Sequence, residues 1–204
     1  MSLDRAAFLA VSARGGATVA LGAIGAGLLV DEAGAATAAS GPLADLDLAL
    51  ARLAVGAEIL AVEFYAQAIA SQKFGPNGTK YLKRARFNEQ DHLGAVSQIL
   101  AGAGQTPSTA DDFTITFPKG TFDTIGSIVK LGVALETAFV GAYLGAVDAF
   151  GPSDLKTAAA RIATSEAQHL SVFSDLAANR PIGVSFPDPI DYETASGLLD
   201  DFLS

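Results

Sequence analysis

The chain has 204 residues, half of them apolar and only 17% charged, which is enough to bury a full hydrophobic core and unlike the composition of a disordered chain. A formal charge of -9, with no cluster of Lys or Arg, argues against binding of a nucleic-acid backbone. There is no cysteine, which excludes disulfides and thiolate metal ligands and leaves any metal to oxygen and nitrogen donors.

Residues 1–38 have the layout of an export signal. Arg5 and Arg14 precede an uncharged run over residues 15–30, and the small-residue triplets Ala33-Gly34-Ala35 and Ala36-Thr37-Ala38 follow. Arg5-Ala6-Ala7-Phe8-Leu9 resembles a twin-arginine signal in which Ala6 replaces the second arginine. As a helix the uncharged run would span about 24 Å, short of the roughly 30 Å of bilayer hydrocarbon. A cleaved signal is therefore expected, with a mature chain beginning near Ala36 or Ala39 in the periplasm, cell envelope or medium. Membrane contact is expected only if the segment is retained.

Residues 39–180 read as four helices. Ser40 and Pro42 open a first helix reaching about Lys73, and Gly75-Pro76-Asn77-Gly78 then turns the chain. Thr79 is the expected cap of a second helix ending near Ala101. Residues 102–120 are polar and punctuated by Gly and Pro, with an extended-looking piece at residues 113–117. Thr121 is the expected cap of a third helix running to about Phe150; Gly151-Pro152-Ser153 leads into a fourth that ends near Asn179. The tail, residues 181–204, carries one short helix over about residues 193–203. Short links join helices one to two and three to four, and the middle connection is long enough to cross the bundle end to end.

The two helical pairs repeat one polar pattern. Glu58 is followed by Tyr65 and Glu136 by Tyr143, seven residues later in both cases. Farther on stand Glu89-Gln90-Asp91-His92 and Glu166-Ala167-Gln168-His169, each a Glu-x-x-His, preceded by Arg86 and Arg161. Residues three apart share a helical face, so each motif aims a carboxylate and an imidazole the same way. With one glutamate from each remaining helix, the set is four carboxylates and two imidazoles. Such a set can hold two divalent ions, one histidine to each, with carboxylates bridging or terminal. Both histidines of the chain have glutamate at i−3, a coincidence that seven glutamates in 204 residues would produce about once in 850 chains. Apolar neighbours such as Val55, Ile59 and Leu60 or Leu135, Phe139 and Val140 make an unpaired carboxylate there costly.

The candidate metal ligands are therefore Glu58, Glu89, His92, Glu136, Glu166 and His169. Glu63 competes with Glu58, but it lies about 140° around the helix and aligns with Gly141 in the other half, whereas Glu58 aligns with Glu136. Tyr65 and Tyr143 lie two turns beyond the glutamates on the same stripe. Each can hydrogen-bond a ligand carboxylate, supply an electron, or serve as a core tyrosine with a satisfied hydroxyl. Asp91 and Gln168 are further candidates to hold the ligands in place.

At these residues the chain resembles the ferritin-like superfamily, and more closely the exported ferritin-like proteins related to plant desiccation-related proteins. The resemblance covers about residues 43–200. It rests on Ala57-Glu58-Ile59-Leu60-Ala61-Val62-Glu63-Phe64-Tyr65, on both Glu-x-x-His motifs, on Phe117-Pro118-Lys119-Gly120-Thr121-Phe122, and on Leu135-Glu136 with Ala142-Tyr143-Leu144-Gly145-Ala146. It implies an all-α ferritin-like four-helix bundle with a long crossover between helices two and three. It also implies a di-iron or di-manganese centre acting on dioxygen, peroxide or Fe(II). The second histidine, on helix four, is closer to rubrerythrin-like and manganese-catalase-like sites than to ferritin sites. The rival expectation is a non-catalytic envelope protein, a homo-oligomer or part of a larger envelope assembly, that uses the same scaffold for structure.

Overall fold

The computed structural model describes residues 42–204; the expected export segment and Ser40 lie outside them. Four long helices are present: α1 (Asp45–Ala70), α2 (Pro76–Gly102), α3 (Ile125–Ala149) and α4 (Ser153–Ala178). A short α5 (Tyr192–Asp200) follows, and a single 3-10 turn at Ala110–Asp112 lies between α2 and α3.

Helix ends follow local chemistry, and two caps differ from expectation. Asp45 and Asp47 sit in the first turn of α1, where the helix dipole favours negative charge. The buried Asp47 carboxylate also accepts the Gly151 N–H at 2.9 Å, tying the start of α1 to the turn after α3. The first helix ends at Ala70 rather than Lys73, because Gln72 takes left-handed backbone at φ 55°. α2 starts on Pro76, whose missing N–H is harmless in a first turn. Thr79 is inside that helix, and its hydroxyl donates to the Phe74 carbonyl instead. The third helix is capped by Thr124, not Thr121: Thr124 Oγ1 accepts the Ser127 N–H at 3.0 Å and Ser127 Oγ accepts the Thr124 N–H at 3.1 Å. Thr121 instead donates to the Pro118 carbonyl within the preceding turn. α4 ends as expected at Asn179, in the left-handed conformation that closes many helices.

The topology is short–long–short. α1 packs mainly on α2, and α3 on α4, each pair antiparallel across its short link. The Asp47–Gly151 contact sets the start of α1 beside the end of α3, so these two are antiparallel as well. Helices α2 and α3 therefore run in the same direction, and residues 103–124 travel the length of the bundle between them. The extended piece expected at residues 113–117 forms an antiparallel bridge, Ile115 to Leu203, with Thr116 N–H donating to the Phe202 carbonyl at 2.8 Å. The C-terminus thus clasps the crossover.

Two apolar clusters fill the bundle, one toward each end. Phe64, Leu82, Ile128, Leu135, Phe139 and Phe173 belong to the first; Leu50, Val55, Ile59, Val96, Leu100, Phe150 and Ile162 belong to the second. Between them lies a polar level. The tail docks on α3 through backbone: Ile190 N–H donates to the Gly141 carbonyl at 3.0 Å, and a Cβ on Gly145 would stand 1.9 Å from the Ile190 oxygen.

Gly145→Ala is expected to displace residues 188–191, destabilise the protein by about 1–3 kcal/mol, and speed proteolysis of the tail. Gly94→Ala, in open space on α2, is expected to be neutral or stabilising by up to about 1 kcal/mol. Chemical denaturation and limited proteolysis of the two variants check both; equal stability of the pair would show that this close approach is unimportant.

Candidate metal centre

The polar level is built from one glutamate on each of α1 and α3 and one Glu-x-x-His on each of α2 and α4. All four carboxylates are almost completely buried: Glu58 2%, Glu89 0%, Glu136 0% and Glu166 1% exposed. His169 is buried and His92 is 13% exposed on its side chain. The six residues expected from the repeat thus meet at one place. They form two overlapping groups, Glu58, Glu89, His92 and Glu166, and Glu89, Glu136, Glu166 and His169; within each, the ligand atoms lie within 4.8 Å of one another.

Glu89 and Glu166 belong to both groups because each spreads its two oxygens. Glu89 turns Oε2 to His92 Nδ1 at 3.1 Å and Oε1 to His169 Nδ1 at 2.8 Å. Glu166 turns Oε1 to His92 Nδ1 at 2.9 Å and Oε2 to His169 Nδ1 at 3.1 Å. The other two glutamates sit at the flanks, Glu58 at 3.7 Å from His92 Nδ1 and Glu136 at 3.8 Å from His169 Nδ1. The tyrosines tie the halves together in a crossed pattern: Tyr65 of α1 donates to Glu136 of α3, and Tyr143 of α3 donates to Glu58 of α1. Of the roles open to these tyrosines, the hydrogen bond to a flanking carboxylate is the one the geometry contains.

Several residues weighed from sequence stand apart. Glu63 accepts a hydrogen bond from Gln67 at 2.8 Å, half-buried and outside the cluster. Asp91 and Gln168 are exposed, and Gln168 bonds its own helix at the Thr164 carbonyl. Sequence reading missed Asn88, whose side-chain nitrogen lies 2.9 Å from His169 Nε2. Its position directly before Glu89 was the available clue.

Protein hydrogens alone leave this cluster unsatisfied. Each Nδ1 has at most one hydrogen, yet two carboxylate oxygens crowd it within 3.1 Å. With each Nδ1 hydrogen given to the glutamate of its own Glu-x-x-His motif, Glu89 Oε1, Glu166 Oε1 and Glu136 Oε2 are buried without a hydrogen-bond donor. Buried polar atoms left so are rare and costly. A divalent cation in each group would meet these lone pairs, and two such ions would offset the formal charge of four carboxylates. The donor set of oxygen and imidazole nitrogen fits iron or manganese.

The charges show the same tension. Burial raises Glu58 to about 8, with His92 pulling back and Glu89 and Glu166 pushing further. Burial and the charges of Glu166 and Glu89 also raise Glu136 well above the usual range. For His92 and His169 burial acts downward, but the surrounding carboxylates outweigh it and hold the imidazoles at about 12 and about 9. Glu166 goes the other way: burial would raise it, but both histidines hold it at about 2.

A cavity of about 220 Å³ opens between α2 and α4. Exposed Tyr81 and Leu176 lie on its rim, and buried Tyr65 and His169 are among its lining residues. The opposite side, between α1 and α3, is covered by the tail and α5 around an apolar cavity of about 200 Å³ lined by Leu50, Leu131, Phe139, Ile190 and Leu199.

In the metal-free protein Glu58, Glu136, His92 and His169 all hold protons more tightly folded than unfolded. Their contribution to stability is complete below the ordinary values of 4.5 for glutamate and 6.5 for histidine, and is lost as pH rises through the folded values. Glu166 adds loss only below about pH 4.5, as pH falls toward its folded value of about 2. Chelator-treated protein is therefore expected to melt at least about 5 °C lower at pH 8.5 than at pH 5.5. Mn(II) should displace the protons and remove that loss. Melting curves at the two pH values, with and without Mn(II), check this; a Tm independent of pH in chelator would refute it.

A family model described as a ferritin-like domain matches residues 46–179. No curated protein matches the chain. With the matched span covering all but the first residue of the four long helices and every residue of the buried Glu and His cluster, the chain belongs to the ferritin-like domain family.

Proposed function

We propose that this chain is an exported two-metal carboxylate protein, holding iron or manganese and reacting with peroxide, dioxygen or Fe(II). The observation that carries the reading is the shared use of Glu89 and Glu166, each offering one oxygen to the His92 side and the other to the His169 side. In this reading Glu89 and Glu166 would be shared by two ions, Glu58 and His92 would help hold one, and Glu136 and His169 would help hold the other. Bound iron or manganese supplies reversible electron transfer and Lewis acidity at such a centre.

The remaining residues hold that arrangement. Tyr65 and Tyr143 fix Glu136 and Glu58 by donating to them, and burial beside those carboxylates raises both phenols, so the hydroxyls keep their protons. The apolar clusters above and below exclude water from the carboxylates and strengthen every charge interaction among them. The α2–α4 cavity supports access for a small reactant on the His169 side. Peroxide is the first substrate to assay, because its dismutation needs no separate electron donor.

Protein purified from its native compartment is expected to contain about two Fe or Mn per chain and, when loaded, to consume hydrogen peroxide. Its intact mass is expected to correspond to a start near Ala36 or Ala39. A double His92→Ala, His169→Ala variant is expected to keep its helical content and lose the metals and the peroxide reaction. Retention of two tightly bound ions by that variant would contradict the ligand assignment. A loaded wild type inert to peroxide, dioxygen and Fe(II) would favour the non-catalytic envelope reading, as would a mass including residues 1–35.

A further inference from the structure

The two halves of the centre match in their six charged residues but differ behind the histidines. Behind His169, Asn88 places its amide 2.9 Å from Nε2. The repeat sets Ser165 where Asn88 stands, each directly before the glutamate of its Glu-x-x-His. A serine side chain has two fewer heavy atoms than asparagine and reaches one bond less far. Among the described residues, no side chain hydrogen-bonds His92 Nε2, and the His92 ring is the more exposed of the two, 13% against 6%.

We infer that Asn88 is a positioning residue for His169 and makes the two metal positions unequal, the His169 position being the tighter. This rests on the two-metal reading above. A neutral imidazole has one ring hydrogen. For His169 to give its Nδ1 lone pair to a cation, the hydrogen must sit on Nε2. The Asn88 amide must then present Oδ1 to accept it, which a half-turn of the amide from the Nδ2-facing arrangement achieves without moving the side chain. So placed, Asn88 fixes the tautomer that leaves Nδ1 free, holds the ring at its angle to Glu89 and Glu166, and raises the basicity of Nδ1. Among the described residues, His92 Nε2 has no such partner.

Asn88 also borders the α2–α4 cavity, together with Gln168, Arg84 and His169. The position it supports is thus the one next to the opening. A metal held there would combine firm attachment with exposure to incoming small molecules, while among the described residues the His92 position lacks the support of a protein hydrogen bond.

Single-position variants separate this from the mutual repulsion of two ions. His92→Ala leaves the His169 position, and His169→Ala leaves the His92 position; Mn(II) binding to each is measured by calorimetry and by the spectrum of free Mn(II). His92→Ala protein is expected to bind one Mn(II) more tightly than His169→Ala protein. Adding Asn88→Ala is expected to weaken Mn(II) about 10- to 100-fold in the His92→Ala background and to change nothing in the His169→Ala background. Asn88→Asp, which keeps an acceptor for Nε2–H, is expected to preserve the tight binding. Equal effects of Asn88→Ala in both backgrounds, or no effect in either with Mn(II) still bound, would overturn the inference and leave the two-metal reading standing. No Mn(II) binding by wild-type protein would overturn both.

Discussion

Four carboxylates share one level of a helical bundle with apolar clusters on both sides, and the rest of the molecule is arranged around that charge. Like charges a few ångströms apart in a water-poor interior cannot all persist without compensation. The two imidazoles offset part of it, and protons or cations must supply the rest. The crossed tyrosine bonds are a second response to the same constraint. Each removes one lone pair from the tally of unsatisfied oxygens and locks the flanking glutamate of the opposite helix. The oxygens left over once each Nδ1 has donated its one hydrogen, on Glu89, Glu136 and Glu166, belong to the two groups that could hold a cation.

The repeat explains the symmetry of the centre, and its departures explain the asymmetry of the protein around it. On α1 the pair Glu63 and Gln67 bond each other, four residues apart on one face. The matching positions on α3 are Gly141 and Gly145, and there the backbone of residues 188–190 lies directly on the helix. The lack of side chains at these two positions leaves room for the tail, which covers the α1–α3 side. Among the described residues, no such segment covers the α2–α4 side, where the cavity meets His169. Within residues 42–204, a scaffold built from two similar halves thereby has a closed side and an open one. The Asn88 and Ser165 pair adds a third departure, at the histidines themselves.

Much of the centre was legible in the sequence because helical geometry is rigid over short spans. A glutamate and a histidine three apart must share a face, and a repeated set of such pairs leaves few ways to arrange the remaining glutamates. The internal repeat favours Glu58, which aligns with Glu136, over Glu63, which aligns with Gly141, and the structure places Glu58 in the cluster and Glu63 outside it. Helix caps were less legible, since Thr121 and Thr124 before α3 have the same intrinsic preference. Thr124 serves because Ser127 can reciprocate, while Thr121 is used up in a turn with Pro118. The tail was least legible: its docking depends on bare backbone at Gly141 and Gly145 and on the Ile115–Leu203 bridge, contacts between segments far apart in sequence. Asn88 lay hidden for a related reason, because its partner is on another helix and only the packing brings them together.

The central claim is that the buried glutamates and histidines form one two-ion site. Anomalous diffraction from crystals soaked in Mn(II) tests it most directly. The account predicts two adjacent peaks within the bundle, both in contact with Glu89 and Glu166, one beside Glu58 and His92 and the other beside Glu136 and His169. A single peak equidistant from the histidines, or peaks only at surface carboxylates with the six side chains unmoved, would contradict it.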